Sequence, residues 1–195
     1  MMQTLDIMRL KEDLAFDTEL EGVSLHFQST WGLFSPKSID DGTRLLAHYL
    51  EIQPGYDALD LGCGYGPLGI YMAKKSQTGR IVMVDKDFIA IEYAQRNAQV
   101  NQVSQCEILL SNGFSHVPKC LFDVVVSNVP AKTGKELYYI LLLDAFQHLK
   151  PGGRFYVVTI TGLRRFFEKG FKAVFGHYKK VKQGKTYTVA YGEKR

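Results

Sequence analysis

At 195 residues, 46% of them hydrophobic, the chain can bury one sizeable core and is too short for two domains of ordinary size. No run approaches the twenty apolar residues a membrane helix needs, and the polar, mixed-charge start at residues 1–13 does not read as a signal peptide. Cys63, Cys106 and Cys120 are odd in number and lack metal-ligand spacing, so no disulfide framework and no metal site is expected, and the chain reads as reduced and cytosolic.

Taken in order, residues 1–21 carry weak helical periodicity through Leu5, Met8 and Leu14. Val23, Leu25 and Phe27 alternate with polar neighbours and predict a half-buried strand, on which His26 reads as an exposed residue rather than a base. Residues 1–30 are taken as an N-terminal extension of helix and strand, and residues 31–195 as a single domain. The stretch 31–43 reads as a loop in which Trp31 and Phe34 serve as core anchors, with base-stacking platforms as the alternative. Leu45, Leu46, Tyr49 and Leu50 then space a helix that ends before Pro54-Gly55 and brings Phe34, Ser35 and Asp41-Gly42 toward any ligand site.

From residue 56 onward strands alternate with helices. The apolar run Ala58, Leu59, Leu61 breaks into Gly62, Gly64 and Gly66, and then into the helical pattern Leu68, Ile70, Tyr71, Met72, Ala73 behind Pro67. Further strands are expected at 80–85, 107–110, 122–127 and 154–161, and helices near 88–101, 134–149 and 163–175. A last pair of strands, about 178–183 and 186–192, is separated by Gly184-Lys185 and must run antiparallel. This predicts an α/β fold with a mostly parallel seven-stranded sheet, helices on both faces and a C-terminal hairpin.

The strand–glycine loop–helix at residues 56–69 is where an open α/β sheet binds ligands. Asp60 closes the strand and is aimed into the crevice, where a carboxylate can pair with an ammonium or hydroxyl group. Asp85 ends the next strand, the position of an acid that grips a ribose diol. A nucleoside-bearing cofactor follows. Gly64-Tyr-Gly66-Pro-Leu-Gly69 also satisfies the G-x-G-x-x-G dinucleotide pattern, so that fold is the competing reading.

The segment Asp60-Leu-Gly62-Cys63-Gly64-Tyr-Gly66 resembles the first loop of class I S-adenosylmethionine-dependent methyltransferases. The resemblance implies that Asp60, Gly62, Cys63, Gly64, Gly66, Asp85 and Lys86 line the cofactor, with Asn112 and Gly113 at the adenine and Asn128 at the cofactor's reactive end. The fourth strand ends in Asn128-Val129-Pro130-Ala131, similar to the Asn-Pro-Pro-aromatic motif of enzymes that methylate amino or amide nitrogens. By that likeness Asn128 and the Val129 carbonyl would accept the N–H protons of the target nitrogen beside the cofactor, and Pro130 would hold Val129 extended. Val129 and Ala131 depart from the motif, and Ala131 removes its stacking aromatic. With Gly32-Leu-Phe-Ser35, Asp41-Gly42-Thr43 and Gly134-Lys135-Glu136, the chain most resembles the small-domain ribosomal RNA guanine-N2 methyltransferases. That likeness implies an RNA partner met by Phe34, Lys132, Arg164 and Arg165, and a cytoplasmic monomer or homodimer.

Charge bears on the same point. Residues 163–195 hold ten basic side chains against two acids, a net of +8 in a chain whose total is +4, which leaves the rest mildly acidic at −4. A phosphate-rich partner accounts for this, as does a solvated helix followed by a lysine-guarded edge strand. A protein glutamine or small molecule as acceptor, or a cofactor-binding module without catalysis, stay open alternatives.

Overall fold

The computed structural model describes residues 8–195. The expectation for residues 1–7, including Leu5, lies outside the described residues. After a 3-10 turn at Arg9–Lys11 come β1 (Leu14–Leu20) and β2 (Val23–Ser29), paired antiparallel from Leu14 with Ser29 to Leu20 with Val23. Glu21 and Gly22 both have positive φ, 48° and 77°, a two-residue turn whose twist suits a hairpin. The helical reading is thus corrected for residues 14–20. Leu14, Phe16, Thr18 and Leu20 recur every second residue, and pairing with β2 selects that period over the weaker helical one.

The chain continues as α1 (Asp41–Tyr49), β3 (Ala58–Leu61), α2 (Pro67–Ser76), β4 (Ile81–Asp85), α3 (Phe88–Val100), β5 (Cys106–Leu110) and β6 (Phe122–Asn128). Then follow α4 (Lys135–His148), β7 (Leu149–Ile160), α5 (Arg164–Phe175), β8 (Lys179–Gln183) and β9 (Tyr187–Glu193). β7 starts five residues earlier than expected, because Leu149 already pairs with Phe122 before the register shifts ahead of Arg154. The main sheet has seven strands in the order β5-β4-β3-β6-β7-β9-β8. The first five are parallel and β9 runs antiparallel between β7 and β8. The chain winds outward from β3 to β5 and then returns to β6 beside β3, so the sheet reverses between β3 and β6 and opens a crevice at their carboxyl ends.

Alternation along the strands divides the core in two. Ala58, Ile81, Met83, Val124 and Val126 face the side covered by α1, α2, α3 and the N-terminal hairpin. Leu59, Leu61, Val82, Val84 and Val125 face α4 and α5, whose Phe167, Phe171 and Phe175 recur every fourth residue. Leu20, Leu25 and Phe27 of the hairpin lie in the first cluster, so a division at residue 30 falls inside a shared core.

Two asparagines one turn apart, Asn97 on α3 and Asn101 at its C-terminal cap, hold the hairpin. Asn97 Oδ1 accepts the Gln28 N–H at 2.7 Å and its Nδ2 donates to the Gln28 carbonyl at 2.9 Å. Asn101 treats His26 in the same way, at 3.0 and 2.6 Å. Side-chain amides thus supply the bonds a further strand would give to β2.

Candidate active site

The loop after β3 is shaped by backbone bonds. The N–H groups of Gly62 and Cys63 both donate to the Val84 carbonyl, at 2.8 and 2.9 Å, and Gly66 N–H donates to Cys63 at 3.0 Å. Gly62, Gly64 and Gly66 have φ of 76°, 56° and 98°. A Cβ added at Gly62 or Gly64 would meet nothing within 4 Å, so both glycines border open space at the crevice.

Asp85 faces this loop. Its Oδ2 accepts the Gly64 N–H at 2.9 Å and its Oδ1 accepts the Asp87 N–H at 3.0 Å, which fixes the carboxylate between the loops after β3 and β4. Asp60 differs from expectation. It is 1% exposed, and its Oδ2 turns onto the first turn of α2, accepting the Gly69 N–H at 2.8 Å. A donor at a helix start is a stronger attraction than open solvent for a carboxylate one strand away. Burial pushes the Asp60 carboxyl up to about 7; the Gly69 amide works against this and the nearby Asp85 adds to it.

A further expectation changes here. The Cys63 side chain packs in the core, where burial raises its thiol above the usual range, so only its backbone borders the crevice. The helix start does not present a row of free donors either, since the Gly62, Cys63, Gly64, Gly66 and Gly69 N–H groups are all taken within the protein. A pyrophosphate needs such donors, and the Asp85 carboxylate facing the loop repels it. The loop therefore suits a neutral or cationic nucleoside over a dinucleotide.

Across the crevice stands Asn128. Its Nδ2 donates to Asp40 Oδ2 at 2.9 Å and to Thr43 Oγ1 at 3.0 Å. A carboxylate only accepts, so the amide nitrogen must face Asp40, and no hydrogen bond from the described residues occupies Asn128 Oδ1. Asp40 is also the N-cap of α1, accepting from the Thr43 N–H at 3.1 Å, and takes the Tyr187 hydroxyl at 3.0 Å. A Cβ at Gly42 would come within 2.8 Å of Asp40 and 3.0 Å of Tyr187, so only glycine leaves room for this junction. The next turn is equally fixed. Val129 N–H donates to Val158 at 3.0 Å, and the Pro130 carbonyl accepts from Tyr138 at 2.6 Å and from Thr133 Oγ1 at 2.9 Å.

The other expected residues fall around this crevice. Lys86 and Asn112 are exposed beyond β4 and β5, with Gly113 at φ 59° and Ser111 tied to the Asp85 carbonyl at 2.8 Å. Lys132 is exposed after β6, and Arg164 and Arg165 begin α5. Trp31 and Phe34 are 42% and 68% exposed and anchor no core; Leu33 and Ile39, both buried, do that for their loop. Asp40 and Tyr187 escaped sequence reasoning. The Asp40-x-x-Thr43 spacing of a helix cap was the available signal for the first; nothing local marks Tyr187.

A reversing parallel sheet, a glycine cradle flanked by an acid and an asparagine facing it define a Rossmann-like methyltransferase of the α/β class. The chain belongs to the methyltransferase small domain family, whose profile matches residues 24–191. It is 34% identical over 135 residues to an uncharacterized Bacillus subtilis protein, YbxB, covering 68% of this chain and 67% of that one. To the ribosomal RNA small subunit methyltransferase C of Mannheimia succiniciproducens it is 35% identical over 132 residues, 66% of this chain and 39% of the relative. Among solved structures, the Thermus thermophilus 16S rRNA N2 G1207 methyltransferase in complex with AdoMet and guanosine superposes with a TM-score of 0.83 at 26% identity. That likeness covers 93% of this chain and 50% of the other, so the chain spans half or less of these two ribosomal RNA methyltransferases.

Proposed function

We propose that this chain is an S-adenosylmethionine-dependent N-methyltransferase acting on a guanine exocyclic amine in ribosomal RNA, in the cytoplasm, as a monomer or homodimer. The observation that carries the reading is the Asn128 amide, clamped through its nitrogen so that its oxygen remains to accept, opposite an acid-flanked glycine loop. The named relatives and the guanosine-bound structural neighbour support the same acceptor.

The residues fit the cofactor. Asp85 offers a fixed carboxylate to a ribose diol, and the open side of Gly62 and Gly64 leaves volume for the nucleoside. Gly113, Asn112 and Lys86 would border the adenine side, and Asp60 beneath the loop favours positive charge. When bound, S-adenosylmethionine supplies a methyl group on a sulfonium. The chain's own part is positioning. Asn128 Oδ1 and the Val129 carbonyl accept the two N–H protons of the target amine, which turns its lone pair away from the ring. Pro130 keeps Val129 extended, while Tyr138 and Thr133 hold the Pro130 carbonyl away from the same task. No strong base is needed, and the rate follows from orientation and fixed dipoles.

Methyl transfer from labelled S-adenosylmethionine to RNA, with digestion to locate N2-methylguanosine, tests the reading. Calorimetry of S-adenosylmethionine against NAD tests the cofactor separately. One feature favours a second acceptor class: Ala131 is exposed and cannot stack on a flat base, which suits a protein glutamine amide. Label appearing in protein with none in RNA would select it.

A further inference from the structure

We infer that the RNA reaches this site as an unpaired segment, laid across the carboxyl edge of the sheet between an aromatic bank and a basic bank. This rests on the RNA reading above and assigns the surface and the form of the substrate.

The first bank is the loop between β2 and α1. It is well anchored. Tyr65 of the glycine loop donates to the Ser35 and Ser38 carbonyls at 3.2 and 3.3 Å, Ser35 Oγ donates to Ser38 at 2.8 Å, and Ser29 Oγ bonds the Pro36 carbonyl. Ser35 sits at φ 51°, a conformation L-residues avoid. Yet this fixed, strained loop turns Phe34 and Trp31 to solvent, with Lys37 Nζ 4.8 Å from the Trp31 ring. A fixed loop that displays aromatic faces is a stacking platform, and it replaces the aromatic missing at Ala131.

The second bank comes from three elements on the same edge. Lys132 lies on the loop after β6, and Arg165 in the first turn of α5, just past the end of β7. Lys185 lies in the β8–β9 turn, which is pinned to that edge by Thr161 N–H to the Thr186 carbonyl at 2.8 Å and Thr161 Oγ1 to Gly184 at 3.1 Å. All three are exposed, and none meets an acid among the described residues, unlike Lys150, Arg154 and Lys172. The banks meet at the Asn128 corner, since Asp40 at the end of the first loop binds both Asn128 and Tyr187, two residues past Lys185. Unpaired cations take phosphates while exposed rings take bases, and a duplex would keep its base faces from Phe34.

The test is fluorescence anisotropy at several salt concentrations, with a guanine-containing single-stranded RNA and its duplex. The proteins are wild type, Phe34→Ala, the triple variant Lys132→Gln/Arg165→Gln/Lys185→Gln, and a control, Lys74→Gln/Lys75→Gln, at the far end of α2 on the opposite edge. Every substituted side chain is exposed, and thermal melts establish that the variants fold. Wild type should prefer the single strand at least fivefold. Phe34→Ala should lose about tenfold. The triple variant should lose affinity and flatten the log–log salt slope by about 2, while the control changes neither. Equal affinity for duplex, equal losses in the triple variant and the control, or unimpaired methylation of RNA by Phe34→Ala and the triple variant overturn the surface. RNA bound through these residues but never methylated overturns the proposed activity and leaves the surface standing.

Discussion

Asp40 Oδ2 lies 2.9 Å from Asn128 Nδ2, joining the cap of α1 to the end of β6 across 88 residues of sequence. This contact decides which end of the amide faces the crevice. Asn128→Ala should lower kcat about a hundredfold or more and leave cofactor affinity unchanged, the loss found when one preorganised polar contact to the reacting group is removed. Asp40→Asn should lower kcat too, because an amide at residue 40 can donate to Asn128 and capture the oxygen meant for the substrate. Single-turnover methylation beside calorimetric cofactor binding checks both, and equal loss of turnover and binding in Asn128→Ala would make its role structural.

Asp85 separates charge from geometry. An amide at this position can still accept the Gly64 N–H but not the Asp87 N–H as well, so Asp85→Asn should keep the loop after β3 while losing one bond to the loop after β4 and the charge-assisted bond to a diol, raising the cofactor Kd about tenfold. Asp85→Ala should also release Gly64 and cost more, up to about a hundredfold. Equal Kd values for the two variants would mean that the loop bond, and not the charge, carries the effect.

Much of this was legible in the sequence because local pattern and global fold agree. The β3–glycine loop–α2 unit, the alternation down to β7 and the closing hairpin each rest on periodicity and turn residues that neighbouring elements reinforce. The candidate site's two halves, the glycine loop and the Asn128 corner, could be named from the sequence for the same reason. What stayed hidden depends on side-chain partners distant in sequence. The orientation of Asp60 follows from an amide nine residues on, the exposure of Phe34 from Leu33 and Ile39 having taken the inward positions, and Tyr187 from a contact spanning 147 residues. The period of residues 14–20 was ambiguous until β2 supplied a partner.

The buried Asp60 predicts two pH effects. Its carboxyl holds a proton up to about 7 in the folded chain, whereas an unfolded aspartate releases it near 4. The folded state therefore binds the extra proton between those values. Its stabilising contribution is complete below about pH 4 and fades as pH rises through 7. A cationic ligand favours the ionised form, so cofactor affinity should rise over the same interval, with proton release on binding near pH 6. Calorimetry in two buffers of different ionisation heat measures that release. Asp60→Asn should abolish the release and flatten both profiles; an unchanged release in that variant would sink the assignment.

Asn97 predicts the strength of the hairpin's attachment and its link to the site. The side chain is fully buried, bonding both backbone groups of Gln28, and its Nδ2 also reaches the Tyr65 carbonyl at 2.9 Å, inside the glycine loop. Asn97→Ala leaves those groups without a partner and opens a small void, a cost of about 2–4 kcal/mol. For a chain of this size that is a Tm lower by roughly 5–15 °C. Asn97→Asp is the sharper variant. It keeps the acceptor for Gln28 N–H but sets a carboxylate oxygen against the Gln28 and Tyr65 carbonyls, so repulsion adds to the lost donor and the variant should be less stable than Asn97→Ala. Because Tyr65 also binds the Ser35 and Ser38 carbonyls, cofactor affinity at a temperature where both variants remain folded should fall with it. Denaturant unfolding ranks the stabilities and calorimetry the affinities; an Asn97→Asp chain as stable as Asn97→Ala would mean that the amide donor contributes nothing to holding the glycine loop.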